Sequence, residues 1–194
     1  MLTIVWDVDD VLNDLMKTWF ERCWVPSHLD CPMSYNEMFE NPPHGLLGVS
    51  KSEYLASLDE FRLSEIAREM MPVPEVLAWF HQYGDHFRHI ALTTTPLRTA
   101  PVSAAWVMHH FGRWIRSFHL VPSPRQGEQI PVYDQSKEEF LRWWGKGDIL
   151  VDDSPSNVAL AQALGIQGVI IPHPWNQSQL TLTEVLDVLT RSVE

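Results

Sequence analysis

Ile4-Val5-Trp6-Asp7-Val8-Asp9-Asp10-Val11-Leu12 is a short apolar run that ends abruptly in carboxylates. A hydrophobic segment of this kind reads as a buried parallel strand. Open α/β sheets bind their ligands at the carboxyl ends of such strands. Asp7 and Asp9 are two residues apart, so extended backbone sends both side chains to the same side. Clustered carboxylates repel unless a cation or a shared proton compensates them. The stretch therefore predicts an active site, with magnesium as its cation. Asp148-Ile149-Leu150-Val151-Asp152-Asp153-Ser154 repeats the pattern. If the two segments are neighbouring strands, Asp7, Asp9, Asp152 and Asp153 converge at one sheet edge. A set of hard oxygen ligands of that kind suits Mg²⁺.

Outward from these two segments, α/β texture fills most of the chain. A first strand is expected over residues 2–7, and a helix from about Asn13 carrying Leu15, Met16, Trp19 and Phe20. From Cys23 to about Met71 the texture changes to helical pieces broken by Pro26, Pro32, Pro42-Pro43 and Gly45. Pro74 then opens a helix at its first turn. Strands are expected at 87–94, 115–121, 148–152 and 169–171, and helices at 100–111, 136–144 and from Ser154-Pro155 to Gly165. An amphipathic helix over 181–193 closes the chain. Alternating strands and helices indicate a parallel sheet with right-handed crossovers. The expected architecture is an α/β Rossmann-like core over 1–14 and 75–194, with a small helical cap over 15–74 inserted after the first strand.

Bulk properties narrow the function. The 194 residues suit one core domain with an insert. The net charge is −11, from 14 basic and 25 acidic residues. That argues against a nucleic-acid polymer as partner, because sequence-independent binding needs clustered Lys and Arg. A small phosphorylated substrate stays open, since a bound metal inverts the local field. Cys23 and Cys31 form no CxxC pair, so neither a disulfide framework nor a zinc site is indicated. No signal segment and no membrane-spanning run is visible, so a cytoplasmic protein is expected.

Four elements occur in order: Asp7-x-Asp9, the Thr93-Thr94-Thr95 strand end, Lys137 at a helix start, and Asp152-Asp153. Together they resemble the haloacid dehalogenase-like (HAD) phosphohydrolases, whose motifs follow that order and which place a helical cap between the first and second motifs. The resemblance implies that Asp7 is the nucleophile forming an aspartyl-phosphate. It implies that Asp9 is the general acid and base. Asp153, with Asp152, would hold the metal together with an Asp7 oxygen and the Asp9 main-chain carbonyl. Thr94 (or Thr93) and Lys137 would bind the transferring phosphoryl. Each residue has a plainer reading: Asp9, Asp10 or Asn13 as a cap of the first helix, the threonines as strand formers, Lys137 as a solvated first-turn residue, Asp152-Asp153 as a turn and cap before Pro155.

Within that superfamily the chain is most similar to the 5′(3′)-deoxyribonucleotidases. The likeness rests on Thr94-Thr95-Pro96, Ala105-Trp106-Val107, Phe111-Gly112, Asp152-Asp153-Ser154-Pro155 and His173-Pro174-Trp175-Asn176. It implies a (deoxy)nucleoside monophosphate as substrate, with Thr95 also touching phosphate. Ser154 departs from the arginine often found there, and Lys137 lies further upstream of the aspartates than in that family. Trp19, Phe20, Trp24, Tyr35 and Phe39 offer faces for base stacking, or simply the core of a small cap. Arg98 offers a phosphate contact or a solvated charge. Among nine histidines, His81, His86, His89 and His109-His110 lack metal-ligand spacing and read as surface or helix-end residues. A phosphomutase shares the same motifs. A signalling receiver module is disfavoured by motif order, and a non-catalytic HAD-fold binding protein stands as the rival class. A homodimer is left open.

Overall fold

A computed structural model describes residues 1–191 of the chain. Five strands, β1 (Thr3–Trp6), β2 (Arg88–Thr95), β3 (Ile115–Pro122), β4 (Ile149–Asp152) and β5 (Gln167–Ile170), form one sheet in the order β3-β2-β1-β4-β5. Every pairing is parallel. The carboxylate-ended strands β1 and β4 are direct neighbours, with Trp6 opposite Val151.

Alternation along the strands feeds two separate cores. Ile4, Trp6, Ala91, Ile149, Val151 and Val169 pack on one face with residues of α5 (Pro74–Tyr83), α6 (Ala100–Phe111) and α9 (Leu182–Arg191). Val5, Ile90, Leu92 and Leu150 pack on the other with residues of α7 (Lys137–Trp144) and α8 (Pro155–Ala163). Both faces are thus covered, which is why these strands read as continuous apolar runs. The last residues of the expected final helix, Ser192 and Val193, lie outside the described residues.

Residues from Leu15 to Met70 build a third cluster of their own. Helix α1 (Leu15–Trp19) continues through a π-helical turn, Phe20–Trp24, into α2 (Val25–Ser27). Two further helices follow, α3 (Lys51–Leu63) and α4 (Glu65–Arg68). Ser50 starts α3 with a reciprocal capping box to Glu53. Trp19, Phe20, Trp24, Tyr54 and Leu58 are buried between these pieces.

His89 corrects one expectation, for it is a buried core residue only 4% exposed. Trp6 Nε1 donates to its Nδ1 at 2.9 Å, and its Nε2 lies 2.8 Å from the Gly84 carbonyl. A carbonyl only accepts, so the proton sits on Nε2, and a second proton would set N–H against N–H. Burial pushes the imidazole down from 6.5 to about 4. Between those values the unfolded chain takes up a proton that the folded chain refuses, so stability falls as pH falls through that window. The loss expected from this group is about 3 kcal/mol. Urea unfolding of the wild type and His89→Gln at several pH values checks it: the variant should lose less stability on acidification, and equal slopes would refute the assignment.

Candidate active site

The sheet brings the acids to one place. Asp7 follows β1 directly, and its amide donates to the Val151 carbonyl at 2.9 Å, which fixes it beside β4. Asp152 ends β4 and Asp153 follows it. Carboxylate oxygens of Asp7, Asp152 and Asp153 lie within 4.8 Å of one another. Lys137, at the first turn of α7, is 4% exposed and sits between them: its Nζ is 2.7 Å from Asp7 Oδ2 and 2.7 Å from Asp152 Oδ2. The lysine is therefore no solvated first-turn residue. Ser136 caps α7 by accepting the Glu139 amide, and Gly145 ends it in the left-handed region at φ 64°.

The charges do not balance. Asp7, Asp10, Asp152 and Asp153 are all buried, against the single ammonium of Lys137. Burial, with the charges of Asp152 and Asp153 behind it, holds the Asp7 carboxyl well above the usual carboxylate range even though Lys137 opposes the shift. Burial and Asp152 push Asp153 up to about 7. On Lys137 burial works against the charged form, but the two aspartates outweigh it and its pKa rises. Asp152 has a different task. Its Oδ1 accepts the Ser154 amide at 2.9 Å, and Asn157 Nδ2 donates to both of its oxygens.

Asp9 stands apart from the three-carboxylate cluster. Its Oδ2 accepts from Arg62 Nη2 of α3 at 2.9 Å. The metal contact expected of Asp9 is its main-chain carbonyl, which the pairing of its carboxylate with Arg62 leaves untouched. Asp10 adopts φ 62°, a conformation uncommon for any residue but glycine and one that aspartate tolerates better than most. Its Oδ1 accepts the Met16 amide at 2.8 Å, and its main-chain carbonyl lies 2.6 Å from His173 Nε2. His173 stacks on Trp175 with the planes 3° apart, and Trp175 Nε1 donates to Asp153 Oδ2 at 2.8 Å. Asn176 Nδ2 donates to the Asp153 carbonyl at 2.8 Å. The loop after β5 therefore braces both acidic turns.

The three threonines separate. Thr93 and Thr94 line the pocket formed by Asp7, Asp9, Asp10, Lys137 and Asp153, and Thr94 is the exposed one. Thr95, expected at the phosphate, does not border that pocket: it is buried, with its hydroxyl 2.7 Å from that of Thr99. Strand alternation sets Thr94 apart from Thr93 and Thr95, and Thr95, the last residue of β2, is engaged by Thr99 instead. Of the cap aromatics offered for base stacking, Trp19, Phe20 and Trp24 are at most 4% exposed and belong to the cap interior. Tyr35 is engaged with His173 at 3.1 Å. Arg98 binds Asp59 at 3.0 Å. Arg62, Tyr54, Asn41 and Asn157 line the pocket without having been singled out in the sequence.

No protein-family model matches the chain, and no curated protein does. Solved structures do. A haloacid dehalogenase-like hydrolase from Streptococcus pneumoniae shares 15% identity at TM-score 0.63, covering 99% of this chain and 98% of that one. A protein described as a β-phosphoglucomutase, from Thermotoga maritima, shares 19% at TM-score 0.59, over 98% and 99% of the two chains. A protein described as a HAD hydrolase, from Bacillus subtilis and bound to magnesium, shares 13% at TM-score 0.54, over 97% and 98%. These neighbours are HAD-superfamily proteins, and the chain shares their α/β Rossmann-like fold. Among the described residues no helix is long and apolar enough to cross a membrane.

Proposed function

We propose that the protein is a Mg²⁺-dependent phosphomonoesterase that works through an aspartyl-phosphate on Asp7. The observation that carries the reading is the gathering of Asp7, Asp152 and Asp153 within 4.8 Å, short of positive charge, beside an exposed threonine and a buried lysine. Hard oxygen donors fit a small divalent cation, and the carboxyls raised by burial and by their acidic neighbours mark where one would be compensated. Asp7 and Asp153 would hold it, with Asp152 set behind them by Ser154, Asn157 and Lys137, and when bound it supplies positive charge to the phosphoryl oxygens.

The chain's own groups supply the steps. An Asp7 oxygen attacks phosphorus, the ester P–O bond breaks, and the leaving alkoxide takes the Asp9 proton. Water then attacks the acyl phosphate while Asp9 takes its proton, which releases phosphate and restores Asp7. Thr94 and Lys137 bind the phosphoryl oxygens, a matter of positioning and charge. Thr95 is left to hold the loop after β2.

The finer expectation, a deoxyribonucleotidase-like enzyme, rests on the Thr94-Thr95-Pro96, Ala105-Trp106-Val107 and Phe111-Gly112 likeness. The burial of Trp19, Phe20 and Trp24 removes three of its candidate base readers.

Phosphate release from p-nitrophenyl phosphate, deoxy- and ribonucleoside monophosphates, sugar phosphates and phosphoglycolate tests the reading. Release should require Mg²⁺, stop with EDTA and return when Mg²⁺ is restored. Release undiminished by EDTA would remove the metal from the proposal. No release from any ester would turn the reading toward a phosphomutase or a binding protein.

A further inference from the structure

A side chamber opens beside Asp9. Asp9, Leu15 and Arg62 line both the carboxylate pocket and a second cavity of about 30 Å³, completed on its far side by Met70, Ser103 and Trp106 among others. Among the described residues, only three buried side-chain polar atoms lack a hydrogen-bond partner. Two of them, Arg62 Nε and Ser103 Oγ, belong to residues that line this chamber. Leaving such groups unmet is costly, so their pairing in one small cavity points to a ligand that meets both.

The Arg62 guanidinium is aimed rather than loose. Its Nη2 donates to Asp9 at 2.9 Å and its Nη1 to Asp59 at 3.3 Å, which leaves Nε as the one guanidinium nitrogen without a partner. Asp59 is fully buried, and it also accepts from Arg125 Nε at 2.6 Å, Arg125 Nη2 at 2.8 Å and Arg98 Nη2 at 3.0 Å. Three guanidiniums therefore face two carboxylates, Asp59 and Asp9, and one positive charge is left over. Asp59 is a positioning residue here: through it the core arginines hold α3, and with it Arg62, against the site.

Size sets the other limit. A cavity of roughly 10–15 Å³ by this measure holds one water. The chamber, at about 30 Å³, takes two or three non-hydrogen atoms. A carboxylate fits that space, and a nucleoside does not. We propose that the chamber receives the far end of the leaving group, and that the substrate is the phosphate monoester of a short hydroxy acid, whose carboxylate accepts from Arg62 Nε–H and the Ser103 hydroxyl. The inference rests on the phosphomonoesterase reading for its chemistry, but the chamber can be tested apart from it.

The comparison is phosphoglycolate against ethyl phosphate, equal in length and lacking the carboxylate, with Mg²⁺. Charge-assisted hydrogen bonds of this kind predict a preference of roughly 10- to 100-fold in kcat/KM for the acid. The ratio should fall toward one in Arg62→Met and also in Ser103→Val, the milder change, with the loss mainly in KM. In parallel, the ¹⁵N-edited spectrum of the Arg62 Nε–H is followed as glycolate or ethylene glycol is added. Glycolate should shift it and ethylene glycol should not. Turnover of both esters without preference, and no shift, would overturn the chamber and leave the phosphatase. A glycolate shift lost in Ser103→Val, with no ester turned over, would keep the chamber and overturn the phosphatase. Neither signal would overturn both.

Discussion

The Asp7→Asn variant is expected to release phosphate slower than wild type by on the order of 10⁴-fold or more, while folding normally. The amide keeps the shape of the carboxylate but cannot form the acyl phosphate. Folding should survive because the site holds an excess of buried carboxylates. Removing one relieves Asp152 and Asp153, and Lys137 keeps its 2.7 Å bond to Asp152. Burial already holds the Asp7 carboxyl well above its usual range, so the charge being removed is one the fold accommodates at a cost. Thermal unfolding should therefore show a variant at least as stable as wild type. Acid quench of wild-type turnover should trap a phosphoprotein labelled from substrate phosphate, and Asp7→Asn should trap none. A variant that keeps most of its activity would dismiss Asp7 as nucleophile, whatever the other acids do.

The parts of this site that can be read from sequence are those carried by strand ends. An apolar run stopped by aspartates is legible because the buried parallel strand and the exposed loop after it demand opposite chemistry. Asp7 with Asp9 and Asp152 with Asp153 are therefore found without structure, as are the strand order's alternation with helices and the threonine-rich end of β2. Lys137 is legible only through motif order, since a first-turn lysine usually faces water. Its burial follows from where the start of α7 lies, beside the acid-bearing ends of β1 and β4, which no local pattern records.

Arg62 and Asp59 lie beyond that limit. They meet Asp9, Arg98 and Arg125 only once the segment after β1 folds back over the sheet, and their spacing on α3 is that of any charged helix face. The choice among Thr93, Thr94 and Thr95 likewise needs the register, because three identical residues carry no distinguishing signal. His89 misleads for a related reason. A histidine beside an arginine at a strand start reads as polar surface, and only the Trp6 indole on the neighbouring strand makes it a core residue. Cap aromatics show the reverse error, since one composition serves either a stacking face or an interior, and the interior is what Trp19, Phe20 and Trp24 form.

Lys137→Met is expected to destabilise the protein by about 3–5 kcal/mol at neutral pH, besides abolishing activity. Methionine fills much the same volume, so the loss is of charge and not of packing. Without the ammonium, Asp7, Asp152 and Asp153 face one another unrelieved at the short distances that now place their oxygens within 4.8 Å. The penalty has a sign that packing loss would not share. Burial and Asp152 already push Asp153 from 3.8 up to about 7, and removing Lys137 takes away a charge that lowers it. A carboxyl raised in the folded state binds protons that the unfolded chain does not, so the variant should regain stability as pH falls from above 7 toward 4. Mg²⁺ should act in the same direction, since a cation held by these acids replaces part of the missing charge and stabilises the folded state by mass action. Urea midpoints at pH 8 and pH 5, each with and without Mg²⁺, separate the cases. A deficit that is the same in all four conditions would mean that Lys137 contributes packing alone, and that the acids around it need no counter-charge.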